Sequence, residues 1–212
     1  MDNMKNKFNW WSIKLVIICT CLFILQSIFP TITNRFALTS SRVLSEPYLL
    51  ISSIFLHGNT EHLIFNIFAL GLFGSILEKI IGSKKLIKIF FITGIIAGMG
   101  AAFFYESSLG ASGAIFGLIG TLTVLRPKMM VWAFGAPLPM FLAAFIWITI
   151  DVIGFFAPTG TANAAHLAGL FAGILVGLYL RPNFKKEEKG ETDEDVPSEK
   201  ELEKWEDNWI DK

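Results

Sequence analysis

Gly110-Ala111-Ser112-Gly113-Ala114-Ile115-Phe116-Gly117-Leu118-Ile119-Gly120 is the stretch on which the reading of this chain turns. It sets one serine at the start of an apolar, glycine-studded segment that Pro127 stops near Leu125. About 14 helical residues at ~1.5 Å each reach roughly 20 Å, against the roughly 30 Å of hydrocarbon that a spanning helix must cross. Ser112 is therefore expected below the membrane surface. Taken alone it reads as a helix N-cap; the placement of the histidines points to something else.

The 212-residue chain is 53% hydrophobic and balances 18 Lys+Arg against 18 Asp+Glu, so no excess of positive charge suggests nucleic acid as a partner. Its apolar residues fall in long runs that read as six membrane spans, at about 12–29, 60–80, 86–104, 112–125, 136–157 and 164–180. Ile28-Phe29-Pro30-Thr31 after the first span lacks a small-x-small cleavage pattern, so that span is expected to be retained. Cys19 and Cys21 lie inside it and read as packing residues. Sixteen of the 18 basic residues precede span one, follow span six, lie between spans two and three or four and five, or stand within the adjoining ends of those spans (Lys14, Lys79 and Lys88). Lys and Arg collect on the cytoplasmic side, so both termini are expected in the cytoplasm. The expectation is an all-α polytopic membrane protein. Residues 1–11 form a cytoplasmic segment, 12–182 a six-helix membrane domain and 183–212 a charged cytoplasmic tail. That tail holds 12 acids and 6 lysines and reads as partly disordered. Within it Ser198-Glu199-Lys200-Glu201 has capping-box form, and Leu202, Trp205 and Trp209 share a helical face suited to docking.

In His57-Gly58-Asn59-Thr60-Glu61-His62-Leu63-Ile64-Phe65-Asn66, Asn59 is a suitable N-cap and Glu61 suits the first turn, so span two is expected to begin near Thr60. His62 and Asn66 are then i and i+4, stacked on one face at the outer end. His57 precedes the helix. Its five-residue spacing from His62 is not that of a helical His-Glu-x-x-His metal site, and no metal is expected. Asp151, near the outer end of span five, is an acid at membrane depth and so a functional candidate, although there it is expected to reach water or a neighbour. Span six opens with Ala164-Ala165-His166-Leu167-Ala168-Gly169, and Gly173 and Gly177 follow at four-residue steps. Together with Gly94, Gly98 and Gly100 on span three and Gly113, Gly117 and Gly120 on span four, these allow close helix approach.

Because direction alternates, spans two, four and six all run from outside to inside. His62, Asn66, Ser112 and His166 thus share one depth. A hydroxyl beside an imidazole is the minimal nucleophile and base, while His62, Asn66 and the Ser112 backbone N–H are candidate donors to an oxyanion. No acid is placed to orient His166, which is left to position and packing.

At these residues the sequence resembles the rhomboid family of intramembrane serine proteases. Gly110-Ala111-Ser112-Gly113 matches its Gly-x-Ser-Gly motif. His57, His62 and Asn66 match its His-x4-His-x3-Asn pattern, and Ala165-His166-x2-Gly169-x3-Gly173 matches its last helix. The similarity runs from about residue 46 to 180. It implies a Ser112–His166 dyad, an oxyanion hole from His62 and Asn66, and supporting places for His57, Gly110, Gly113, Phe116 and Gly169, with no cofactor or metal. It also implies a multi-pass protein of the cell membrane, working in the lipid bilayer on transmembrane segments of other proteins and cutting near small residues. The family's fifth helix and following loop gate entry, which would put Trp147, Asp151 and Phe155 near the substrate path. Two places depart from the pattern: Tyr48-Leu49 stand where the family usually has Trp-Arg, and Phe116 where many relatives have tyrosine. The alternative is a rhomboid-like binding factor without proteolysis, against which the intact Ser–His pair argues. A transporter would need polar residues at the midplane and repeated halves, and neither is present.

Overall fold

Apolar segments in lipid have no water to bond their backbone groups, which favours helices that satisfy those groups internally. The computed structural model describes residues 8–157 and 160–194, with side chains as far as residue 184. Helix α1 (Trp11–Ile28) is followed by a short α2 (Thr31–Phe36), strand β1 (Leu38–Thr39) and α3 (Leu49–Ser52), which tightens into a 3-10 turn over Ser53–Phe55. Helix α4 (Thr60–Ala69) runs through a π-type turn (Leu70–Gly74) into α5 (Ser75–Ile81). After Gly82 come α6 (Ser83–Phe104), β2 (Ser107–Ser108), α7 (Ser112–Leu125), strands β3 (Met130–Ala133) and β4 (Ala136–Pro139), α8 (Met140–Phe156) and α9 (Asn163–Glu194).

Among the described residues four helical stretches are long and apolar enough to cross a membrane: Trp11–Ile28, Thr60–Ile81, Ser83–Phe104 and Asn163–Phe184. Two shorter apolar helices, Ser112–Leu125 and Met140–Phe156, coincide with the remaining expected spans. Ile24, Phe65 and Phe171 are 53%, 64% and 62% exposed, so the outward faces are as apolar as the core, as in a protein dissolved in lipid.

The fold is mostly helical, yet two short antiparallel pairings amend the all-α expectation. Strand β1 pairs with β2 (Leu38↔Ser108, Thr39↔Ser107), tying the loop after α1 to the turn ahead of Ser112. Strands β3 and β4 form a hairpin with Ala133 opposite Ala136. Its two connecting residues, Phe134 and Gly135, both have positive φ (55° and 77°), as a type I′ turn requires. The fifth helix accordingly begins at Met140 and not at 136, and Pro137 and Pro139 occupy the second strand. The last helix continues past Pro182 to Glu194, beyond the expected end near 180. Cys21 is exposed, unlike the buried Cys19, and is not a packing residue of the core. The tail features at Ser198–Glu201, Leu202, Trp205 and Trp209 lie outside the described residues. The chain divides by packing into Met1–Leu178 and Tyr179–Lys212, and everything below concerns the first unit.

The centre of that unit is α7, with ten of its fourteen residues buried. Glycine lets its neighbours reach it. A Cβ on Gly169 would stand 2.0 Å from the Gly113 carbonyl oxygen, and one on Gly173 would stand 1.9 Å from that of Gly117. On the α6 side, a Cβ on Gly113 would meet the Ala97 methyl at 2.4 Å. Hydroxyls bridge the same seams: Thr93 donates to the Ala114 carbonyl (3.3 Å) and Thr121 to that of Gly173 (3.0 Å). Such small-residue seams fix helix spacing through backbone contact, with no adaptable side chain in between.

Candidate active site

Helix α7 begins at Ser112 itself. Ala111 is the N-cap residue and no side chain caps the helix, so the N-cap reading of Ser112 does not hold. Its Oγ instead lies 2.8 Å from Nε2 of His166, which comes from the first turn of α9. Hydroxyl and imidazole are thus in hydrogen-bond contact across the glycine seam. Phe116, one turn below Ser112, stacks flat on the His166 ring (centroids 4.4 Å apart, planes 7° apart) and restricts its rotation.

The other nitrogen of that ring corrects the sequence reading. Nδ1 of His166 lies 2.9 Å from Oδ1 of Asp151, which α8 carries at 4% exposure. Asp151 therefore faces the histidine and not water, and His166 has an acid beside it after all. Nothing in the sequence signalled this pairing beyond an acid at membrane depth, since the meeting depends on how α8 rotates against α9.

His62 and Asn66 line the same cleft as Ser112, Phe116 and His166; its volume is about 1380 Å³. The Asn59 side chain accepts from the His62 backbone N–H at 2.8 Å, which starts α4 where the sequence placed it. The Gly58 N–H approaches Nδ1 of His62 at 3.4 Å, a long contact that favours the tautomer with its proton on Nε2 and hence a donor there. Gly110 makes room for that ring. Its φ is +121°, and a Cβ would lie 2.7 Å from Cε1 of His62. Asn66 is 5% exposed and gives one of its amide N–H groups to the His62 carbonyl at 2.7 Å, leaving the other. Trp147 and Phe155 also line the cleft.

His57 lies behind this wall, 2% exposed, with its ring edge-on to His62 at 5.2 Å. Among the described residues neither of its nitrogens finds a hydrogen bond of ordinary geometry. Burial, and then the neighbouring His62, push its pKa down to about 4, against a weaker opposing pull from the Phe55 carbonyl. Among the described residues no group of three or more His, Cys, Asp or Glu converges as a metal site.

Several positioning contacts escaped the sequence reading. Gln26 of α1 holds the His57 backbone from both sides, accepting from its N–H (3.1 Å) and donating to its carbonyl (3.2 Å). Tyr105 accepts the Ala164 N–H at 3.1 Å and so anchors the start of α9. The loop that lacks the Trp-Arg pair is held by other means: Arg42 grips Glu46 through Nη2 (2.6 Å) and Nε (3.1 Å) and donates to the Asn34 and Arg35 carbonyls. Tyr48 donates to Glu46 as well, while Leu49 is wholly buried. The Arg42 bonds first, and the Tyr48 bond next, hold the Glu46 carboxyl down at about 2. A glutamine inside an apolar span was the one readable signal among these.

These features define a class: an integral membrane protein with a hydrogen-bonded serine–histidine pair on the wall of a cleft between helices. Residues 44–183 match the model of the Rhomboid domain, and the chain belongs to the rhomboid family. It is similar to proteins named Rhomboid protease GlpG, at 31% identity over 127 residues in Photorhabdus laumondii and 26% over 189 residues in Yersinia pseudotuberculosis. The first match covers 58% of this chain and 44% of the relative, the second 84% and 66%. The chain thus spans about half to two-thirds of the length of these relatives.

Proposed function

We propose that this chain is an intramembrane serine endopeptidase that cleaves transmembrane segments of other proteins, with Ser112 as nucleophile and His166 as general base. The observation that carries the reading is the 2.8 Å contact between Ser112 Oγ and His166 Nε2 on the wall of an open cleft. That distance lies within the reach a base needs. The protein lies in the cell membrane as six apolar segments with both ends cytoplasmic, in keeping with the sixteen basic residues on the inner loops and ends.

The reaction follows from the donors and acceptors present. Ser112 Oγ attacks the scissile carbonyl carbon as His166 Nε2 takes the hydroxyl proton. The carbonyl oxygen becomes an oxyanion, faced by Nε2–H of His62, the free N–H of Asn66 and the Ser112 backbone N–H. Collapse breaks the C–N bond, and His166 returns the proton to the leaving amine. Water entering from the outer face then attacks the acyl-serine with His166 again as base, releasing the acid and restoring Ser112. The scissile segment must be extended for its carbonyl to reach Ser112, so segments with small or helix-breaking residues near the outer surface are the favoured substrates.

The test is cleavage of a single-span protein carrying such residues, co-reconstituted in liposomes. Wild type releases the two fragments, whereas Ser112→Ala is slower by at least ~10³-fold. Comparable cleavage by Ser112→Ala would remove the serine from the reaction.

A further inference from the structure

We propose that Asp151 is a positioning residue for this chemistry, acting through Nδ1 of His166, so that the working unit is Ser112–His166–Asp151 and not a pair. The inference rests on the peptidase reading of the site. Its basis is a continuous line of contacts: Ser112 Oγ to His166 Nε2 at 2.8 Å, and His166 Nδ1 to Asp151 Oδ1 at 2.9 Å. The three residues come from α7, α9 and α8, so no local turn brings them together.

A carboxylate at membrane depth is costly to keep unless it is paired. Asp151 is 4% exposed, and its second oxygen, Oδ2, has no hydrogen-bond partner among the described residues. Among the described residues the contact to His166 is thus its one compensating hydrogen bond. An asparagine would satisfy a merely structural need at lower desolvation cost, since its amide can also bond the ring. What only the carboxylate provides is strict acceptor character. It fixes the proton on Nδ1 and leaves the Nε2 lone pair aimed at Ser112, the tautomer a base requires. It also stabilises the imidazolium that forms when the serine proton transfers. Phe116 stacks on the ring face and supplies no hydrogen bond, so ring tautomer and in-plane orientation fall to Asp151.

The chain has three histidines, so ring-15N labelling gives only three imidazoles to resolve, with His166 assigned by its loss in His166→Gln. Spectra in detergent are taken at a pH where all three rings are neutral. Wild type is expected to show His166 protonated on Nδ1 and bare on Nε2, and Asp151→Asn to lose that preference. In liposomes Asp151→Asn should lower kcat by roughly 10²-fold or more with KM within about threefold, and Asp151→Glu should recover part of the loss. An unchanged tautomer with kcat within about threefold of wild type overturns the proposal, as does Asp151→Glu no faster than Asp151→Asn. Should Asp151→Asn fail to fold, wild type decides by itself: a His166 protonated on Nε2 overturns it. A wild type that neither cleaves nor reacts with fluorophosphonates removes the peptidase reading instead, while the tautomer still reports on Asp151.

Discussion

Replacing Gly173 with alanine adds one methyl group at the seam between α7 and α9, and two opposed effects make the sign of the result informative. Helix propensity alone favours alanine over glycine by about 1 kcal/mol. Against that, the new Cβ would stand 1.9 Å from the Gly117 carbonyl oxygen and 2.7 Å from its carbon, where ordinary contacts begin near 3.4 Å. The helices must therefore part by about 1.5 Å, and the neighbour is backbone with no rotamer to yield. Overpacking of this kind costs about 1–3 kcal/mol, so the net change is destabilising by up to about 2 kcal/mol. Activity should suffer more, because Ser112 and His166 sit on those two helices and their 2.8 Å contact does not survive an ångström of separation. A misplacement of that size costs ~10²-fold in rate. Thermal unfolding in detergent and cleavage in liposomes read the two effects. Gly71→Ala is the control, since a Cβ there meets nothing within 4 Å. If Gly173→Ala were as stable and as active as Gly71→Ala, the seam would not set the spacing of the site and the packing argument would fall.

Glu78 receives Trp11 N–H (2.8 Å), Ser12 N–H (2.9 Å), Asn9 N–H (3.3 Å) and the Ser12 and Ser83 hydroxyls, and thereby caps α1 from the end of α5. Glu78→Gln leaves one accepting oxygen where the Trp11 and Ser12 N–H groups use one each, and should lose about 1–3 kcal/mol, and Glu78→Ala should lose about 3–5 kcal/mol, in detergent unfolding; an alanine variant within about 0.5 kcal/mol of wild type would contradict this. His57 gives a pH dependence. Its folded pKa of about 4 lies below the ordinary 6.5, so above pH 6.5 it contributes nothing, and as pH falls from 6.5 to 4 the unfolded chain takes up a proton that the folded chain refuses. Stability should drop by about 2 kcal/mol at pH 5, and His57→Phe should remove that part of the slope; an equal slope in both proteins would show that His57 does not titrate in this way.

Much of the site could be read in advance because it rests on local chemistry and on alternation. The Asn59 cap, the i, i+4 stacking of His62 and Asn66, the four-residue glycine steps and the direction of successive helices together place Ser112 and His166 at one depth. What escaped depends on rotation and on distant loops. Asp151 faces inward because of how α8 sits against α9, which a uniformly apolar helix does not encode in any periodic stripe. The hairpin of residues 130–139 was missed because its second strand belongs to the apolar run that reads as a span from 136, while Phe134, a non-glycine residue at positive φ, gives no turn signal of its own. Glu78, beside Lys79 at the inner end of span two, is fully buried against the N-terminus of α1, a contact between residues 66 apart that no local pattern encodes.

The central claim is that Ser112 is activated by His166, and the most direct measurement is labelling with a fluorescent fluorophosphonate in mild detergent, with the modified residue located by mass spectrometry. Wild type should carry the adduct on Ser112, while folded Ser112→Ala and His166→Ala should remain unlabelled. A folded wild type without adduct, or one labelled equally after loss of His166, would contradict the account.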